Sequence, residues 1–338
     1  MTGKERLYAV IAGRPTDRPP VTPIMMAWAA HYIGRTYRDY YLDGEVLVEA
    51  QLAVAEAFGL DQVMTISDPW REASGYGMEF DYPPEGVGVP RGRLIKARDD
   101  LRRLRRIDPD AVPRMRQRVE SAGRLAAAVG RTHSVLGWVE GPMAEYADLR
   151  DLQEAMLDLV DEPTMFHDAA AVIVENAVAF AKAQVRAGAD MIGVGDAAAS
   201  LINAEMYEEF VLPWQQRLFA DIHEAKAAVK LHICGNTNHL VGLMARTGAD
   251  IIDLDWMVPL ADARRTAGPD VTFCGNFDPS AVLLQGTPVD VAKAAVRCIR
   301  QAGPRFVLAP GCEVCPGTPE ANVRAFCDPV LRESLAGG

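Results

Sequence analysis

Along the chain, short runs of apolar and β-branched residues alternate with longer stretches in which apolar positions recur every three or four residues. Eight of the short runs read as strands: Val21–Met25, Asp61–Ile66, Thr132–Val139, Asp190–Gly195, Val229–Cys234, Asp250–Leu254, Val271–Phe277 and Arg305–Ala309. Several end at a Gly, Asp or Pro, as strands do. The longer stretches, among them Glu45–Phe58, Ala111–Val129, Pro163–Ala187, Ala204–Lys226 and Pro288–Gln301, read as amphipathic helices. Strands alternating with helices imply parallel pairing and an α/β fold. Eight such units predict a single (β/α)8 barrel domain over residues 1–338, with an N-terminal extension before the first strand. The Pro/Gly-rich and then basic stretch Pro83–Arg106 is expected to be a long loop after the second strand, in a position to act as a lid. Its Arg102, Arg103, Arg105 and Arg106 read as a solvated face, with an anion site as the alternative.

Composition narrows the function classes. The chain is 49% hydrophobic and 24% charged, enough for a large core and a polar surface. No apolar run reaches the roughly 18 residues of a membrane span. The segment Met1–Arg6 is polar and lacks the pattern of a signal peptide. A net charge of −11 argues against nucleic-acid binding. Six cysteines without an export signal suit metal ligands, nucleophiles or buried hydrophobes better than disulfides, so a cytoplasmic location is expected.

In such a barrel the active site gathers at the C-terminal ends of the strands. Those ends carry Ser67 and Asp68, Glu140, Asp196, His232 with Cys234, Asp255, Asn276 with Asp278, and Cys312. Any one could be a turn residue, but together they supply ligand and acid/base groups to one mouth. The segment Lys230-Leu231-His232-Ile233-Cys234 is the sharpest. Residues two apart on a strand point the same way, so His232 and Cys234 face one space. Imidazole and thiolate are zinc ligands, and a third could come from Cys312, which would leave one position open for substrate. Cys312 and Cys315 also have C-x-x-C spacing, without a thioredoxin-like helix start. Cys274, Cys298 and Cys327 sit in apolar patterns and read as core.

The sequence resembles the uroporphyrinogen decarboxylase superfamily over nearly its whole length. The resemblance is carried by Arg18-Pro19-Pro20-Val21, Ser67-Asp68, Gly137-Trp138-Val139-Glu140-Gly141-Pro142 and Tyr207-Glu208-Glu209-Phe210-Val211-Leu212-Pro213. It continues through Cys274-Gly275-Asn276-Phe277-Asp278-Pro279 and Thr318-Pro319-Glu320-Ala321-Asn322-Val323. Within that superfamily, His-x-Cys with a distant Cys resembles the zinc motif of the corrinoid-linked methyltransferases. These act on coenzyme M, on methyl groups from methylamine or methanol, or on methoxylated aromatics. The resemblance thus implies that His232, Cys234 and Cys312 hold zinc; the fourth ligand is expected to be water, substrate, or a nearby carboxylate such as Glu140 or Asp196. Decarboxylases carry a His at the position of Cys312 and an Arg-rich segment for the substrate carboxylates. Here that segment reads Met25-Met26-Ala27-Trp28-Ala29-Ala30-His31-Tyr32, without Arg.

The resemblance implies a zinc-dependent methyltransferase that moves a methyl group between a small methylated substrate and a corrinoid. Glu140, Asp196 and Asp255 are its candidate acid/base or positioning groups. Met26, Trp28, His31, Asp68, Tyr146 and Asn276 are its candidate substrate-binding residues, Asp68 matching the decarboxylase's pyrrole-binding Asp. No Asp-x-His-x-x-Gly corrinoid signature is present, so the corrinoid is expected on a separate protein or as free cobalamin. A homodimer is also implied. The competing expectations are a metal-free decarboxylase and a non-catalytic corrinoid- or metal-binding protein.

Overall fold

The computed structural model describes residues 1–328. Its strands are β1 (Gln62–Met64), β2 (Phe80–Asp81), β3 (Val89–Pro90), β4 (Ser134–Glu140), β5 (Met191–Gly195), β6 (Ala228–Ile233), β7 (Ile251–Leu254), β8 (Phe273–Phe277) and β9 (Phe306–Pro310). Seven of them form one sheet in the order β1-β4-β5-β6-β7-β8-β9, with every neighbouring pair parallel. Helices fill most of the crossovers, which gives the α/β barrel architecture expected.

The expected first strand differs. Val21–Met25 makes one parallel bridge, Val21 to Leu308 of β9. The Thr22 N–H donates to the Leu308 carbonyl (3.1 Å) and the Leu308 N–H to the Pro20 carbonyl (2.8 Å), while the Asp61 N–H donates to the Val21 carbonyl (3.0 Å). This segment therefore joins β9 to the chain entering β1 and closes the ring. It goes no further as a ladder because Pro20 and Pro23 have no N–H to donate.

The barrel interior is packed. Met64 and Ile66, Leu136 and Trp138, Met191, Ala228, Ile251, Cys274, Val307 and Ala309 make one buried cluster. The helix Gly3–Ile11, opened by a Thr2/Glu5 capping box, adds Leu7 and Val10 to it from below. Outside, the helix Pro163–Ala187 buries Phe166, Ile173, Val174 and Phe180.

The stretch expected as one helix, Ala204–Lys226, has a wide turn at Tyr207–Val211 before the regular helix Leu212–Glu224. Pro213 explains it, since its missing N–H breaks the hydrogen-bond ladder there. The loop Pro83–Arg106 leaves β2, returns as β3 in a two-residue antiparallel ladder with it, and includes a 3-10 turn at Arg98–Arg103. Its four clustered arginines are exposed, and Arg106 pairs with Glu175 at 3.2 Å. Among the described residues, no helix is long and apolar enough to cross a membrane.

Candidate metal centre and substrate cavity

His232 is the fifth residue of β6, and Cys234 follows one residue beyond its end. Cys312 arrives after β9 through Gly311, whose N–H donates to the Phe277 carbonyl (2.9 Å). A side chain at Gly311 would place its Cβ 2.3 Å from the Trp256 nitrogen, so only glycine lets this turn cross so close to the loop after β7. His232 Nε2 lies 2.9 Å from Cys234 Sγ, and Cys234 Sγ lies 3.7 Å from Cys312 Sγ. All three ligand atoms fall within 4.8 Å of one another.

This donor set fits zinc. Two thiolates each ~2.3 Å from a tetrahedral zinc sit about 3.8 Å apart, close to the separation observed. The three groups are also electrostatically coupled to one another. Hydrogen bonds from Cys234 and His232, opposed by burial, push the Cys312 thiol down to about 4. The Cys234 thiol, which donates to Cys312 and is partly buried, is pushed well above its ordinary value. Burial lowers His232, but Asp253 and Cys312 outweigh it and raise the imidazole to about 9. Cys315 is turned away, with its Sγ 3.5 Å from the Pro279 carbonyl.

The three donors open into a cavity of about 590 Å³ at the strand ends. Ile24, Met26, Ala27, Tyr37, Ile66, Pro69, Trp138 and Pro316 make most of its wall, and Glu85, Gly86 and Val87 of the long loop hang over it. Among the described residues, its charged or titratable lining is Tyr37, Asp68, Glu85, Glu140, Glu313 and the candidate ligand set, with no Lys or Arg. A groove of about 840 Å³ between the helices Pro288–Ala302 and Glu320–Cys327 is larger. It lies outside the barrel, away from the converging ligand atoms.

Of the expected site residues, Met26, Asp68 and Glu140 line the cavity with the ligand set. Asp68 is fully engaged. Arg114 donates to both its oxygens (2.8 and 2.9 Å), and the Ser67 hydroxyl donates at 2.9 Å. Burial opposes its charge, but Arg114 and then Arg71 outweigh it and hold the carboxyl below its ordinary value. Glu140 is the opposite case. Burial and the nearby Glu72 push its carboxyl well above the ordinary range. Its Oε1 accepts from Trp138 Nε1 at 3.0 Å.

The other expected residues lie outside the lining. Tyr146 is fully buried, with its hydroxyl on Asp158 at 2.6 Å, because the helix Pro142–Arg150 turns it toward the neighbouring helices. Asp196 is also fully buried, accepting from the Ala144 N–H and Gln215 Nε2 (2.7 Å each), so it fastens a loop to two helices. Asp255 accepts from the Gly235 and Met257 N–H groups at 2.9 and 3.1 Å, and Asn276 donates to the Val258 carbonyl at 2.6 Å. Both tie strand-end loops together. Trp28 donates to the Thr318 carbonyl (2.9 Å) and stacks on Tyr32. His31 meets Glu85 at 3.0 Å on the rim.

Three residues that the sequence did not single out matter here. Arg114 neutralises Asp68 from a helix without any local signal. Glu313 lines the cavity beside Cys312, accepts from the Ala27 N–H at 3.0 Å, and is pushed up to about 7 by burial. Its position next to a candidate ligand was the available signal. Asp253 lies against His232, with Oδ2 3.5 Å from Nδ1.

Residues 2–332 match the uroporphyrinogen decarboxylase family, and the chain belongs to that family. It is 29% identical to the uroporphyrinogen decarboxylase of Nostoc punctiforme, over 98% of this chain and 97% of that one. It is 28% identical to a methylcobamide:CoM methyltransferase of Methanosarcina mazei, over 97% of each. Its fold is similar to a solved methyltransferase structure from Methanosarcina mazei, with a TM-score of 0.87, 23% identity and 99% of each chain covered. Overall identity does not separate the two kinds of relative, so the site must.

Proposed function

We propose that this enzyme moves a methyl group from a small methylated substrate to a corrinoid, with zinc held by His232, Cys234 and Cys312. One observation carries the reading: a complete zinc donor set opens into a largely apolar cavity whose described lining contains no Lys or Arg. A polycarboxylate such as a porphyrinogen calls for bidentate arginines facing it. The one charge inherited in the decarboxylase position, Asp68, is already bound by Arg114. The methylcobamide in the name of the Methanosarcina mazei relative supports a corrinoid as the other reactant.

When bound, zinc supplies Lewis acidity to the substrate atom that carries the methyl group. The apolar wall of Met26, Ile66 and Trp138 excludes water and holds the substrate body. Glu140, whose burial beside Glu72 favours its protonated form, is the group that donates a proton to the departing atom as the methyl leaves. The corrinoid approaches from the open mouth, on a separate protein or free, because displacement needs the reacting atoms aligned ~3–3.5 Å apart.

The test mixes zinc-loaded protein with cob(I)alamin and, separately, with methoxyaromatic, methylamine and methylthiol donors, following methylcobalamin optically. Methylcobalamin formation with at least one donor is expected. Carbon dioxide release from uroporphyrinogen, with no methylcobalamin from any donor, would restore the decarboxylase.

A further inference from the structure

The barrel interior below the metal-ligand set contains an ion pair where the surrounding layers are apolar. Lys230 and His232 alternate on β6 and so face inward together, and His232 pairs in register with Asp253 of β7. Lys230, His232 and Asp253 are all buried. Lys230 Nζ lies 3.0 Å from Asp253 Oδ2, an ion pair between two buried groups. The same Oδ2 lies 3.5 Å from His232 Nδ1, and the Asp253 carbonyl lies 3.3 Å from that nitrogen. The two ring nitrogens are thereby divided. Nδ1 faces β7, and Nε2 faces Cys234.

We infer that Asp253, held by Lys230, is a positioning residue that fixes the His232 ring for metal binding and tempers how much charge reaches the metal through it. This rests on the zinc reading above. A barrel core built only to pack would use aliphatic side chains, and replacing a buried ion pair by apolar residues of like volume is often neutral or stabilising. The pair therefore calls for a use, and it lies in contact with the one imidazole of the donor set. The Asp253 carbonyl, the nearer acceptor, selects the tautomer with Nδ1 protonated and makes Nε2 the ligand, and the carboxylate 3.5 Å away adds its charge behind the ring. Lys230 shares the same carboxylate oxygen, so Asp253 orients the imidazole without acting as a free, fully basic carboxylate. A zinc ion held there would keep its acidity toward substrate.

The experiment measures zinc affinity by chelator competition and the absorption bands of the cobalt(II)-substituted protein. Asp253→Asn is expected to weaken zinc binding about 10- to 100-fold, the usual effect of losing such a support. Lys230→Met should leave zinc bound but shift the cobalt bands, because Asp253 is then uncompensated. The double variant Asp253→Asn/Lys230→Met buries no charge and guards against misfolding of the single variants; it should fold and still bind zinc about 10- to 100-fold more weakly. Wild-type zinc affinity and wild-type cobalt bands in the double variant would overturn the inference, leaving the pair as core packing. Failure of the unmutated protein to bind zinc would instead sink the zinc reading itself.

Discussion

The two walls of the cavity are built by different means. On one side, β6 and the turn after β9 present His232, Cys234 and Cys312, whose ligand atoms face one another. On the other, Asp68 after β1 carries a charge that Arg114 satisfies from the helix Pro113–Val129, so it is buried within the protein's own ion pairing. The first wall has binding capacity left over, whereas the second has used its own. The lesson is that a polar strand end becomes a site only when its neighbours leave it unsatisfied.

Substitutions on each wall separate the two roles. The largest effect is expected on the metal wall. Cys312→Ser or His232→Ala should remove zinc and drop methyl transfer to background while circular dichroism is unchanged; full activity in a zinc-free Cys312→Ser variant would refute the mechanism. On the opposite wall, Asp68→Asn should leave zinc content intact yet cost about 3–5 kcal/mol in denaturant unfolding, as losing one partner of a buried ion pair does. The sign with pH follows from its lowered pKa. Its contribution is complete above the unfolded value of about 3.9 and is lost as pH falls through the folded value. Stability of the variant should therefore depend less on pH in the acid range.

Asp196 sharpens the same point with the opposite sign. Burial raises it to about 6. The folded state thus holds that proton more tightly, and stability declines as pH rises from the ordinary carboxyl value toward about 6. Asp196→Asn should flatten that decline in unfolding measured across the range, and an unchanged slope would contradict the assignment. The smallest effect belongs to a thiol on neither wall. Cys298, buried in the helix Pro288–Ala302, should cost only about 1 kcal/mol when changed to Ala, with zinc and activity unaffected.

Periodicity made much of this molecule legible. Alternating apolar runs marked β1 and β4 through β9, and the two-residue spacing of His232 and Cys234 put both on one side, because the pleat turns sequence parity into direction. The proline-flanked segment at Val21 has the composition of a strand, but too few N–H groups to form a ladder beyond a single bridge.

The barrel, the family and the candidate ligands His232, Cys234 and Cys312 were readable from the chain alone, because all follow from local periodicity or contiguous motifs. Only the tertiary structure decided which strand-end polar groups remain free. Asp68, Asp196, Asp255 and Asn276 look alike as strand-end residues, yet each is engaged by groups that the fold brings to it: Arg114, Gln215 and the backbone of neighbouring loops. Tyr146 and Trp28 are likewise taken up by Asp158 and the Thr318 carbonyl. Hydrogen bonds and ion pairs between distant segments depend on a few ångströms and on direction, which a linear pattern does not carry. Burial then makes each such partner obligatory.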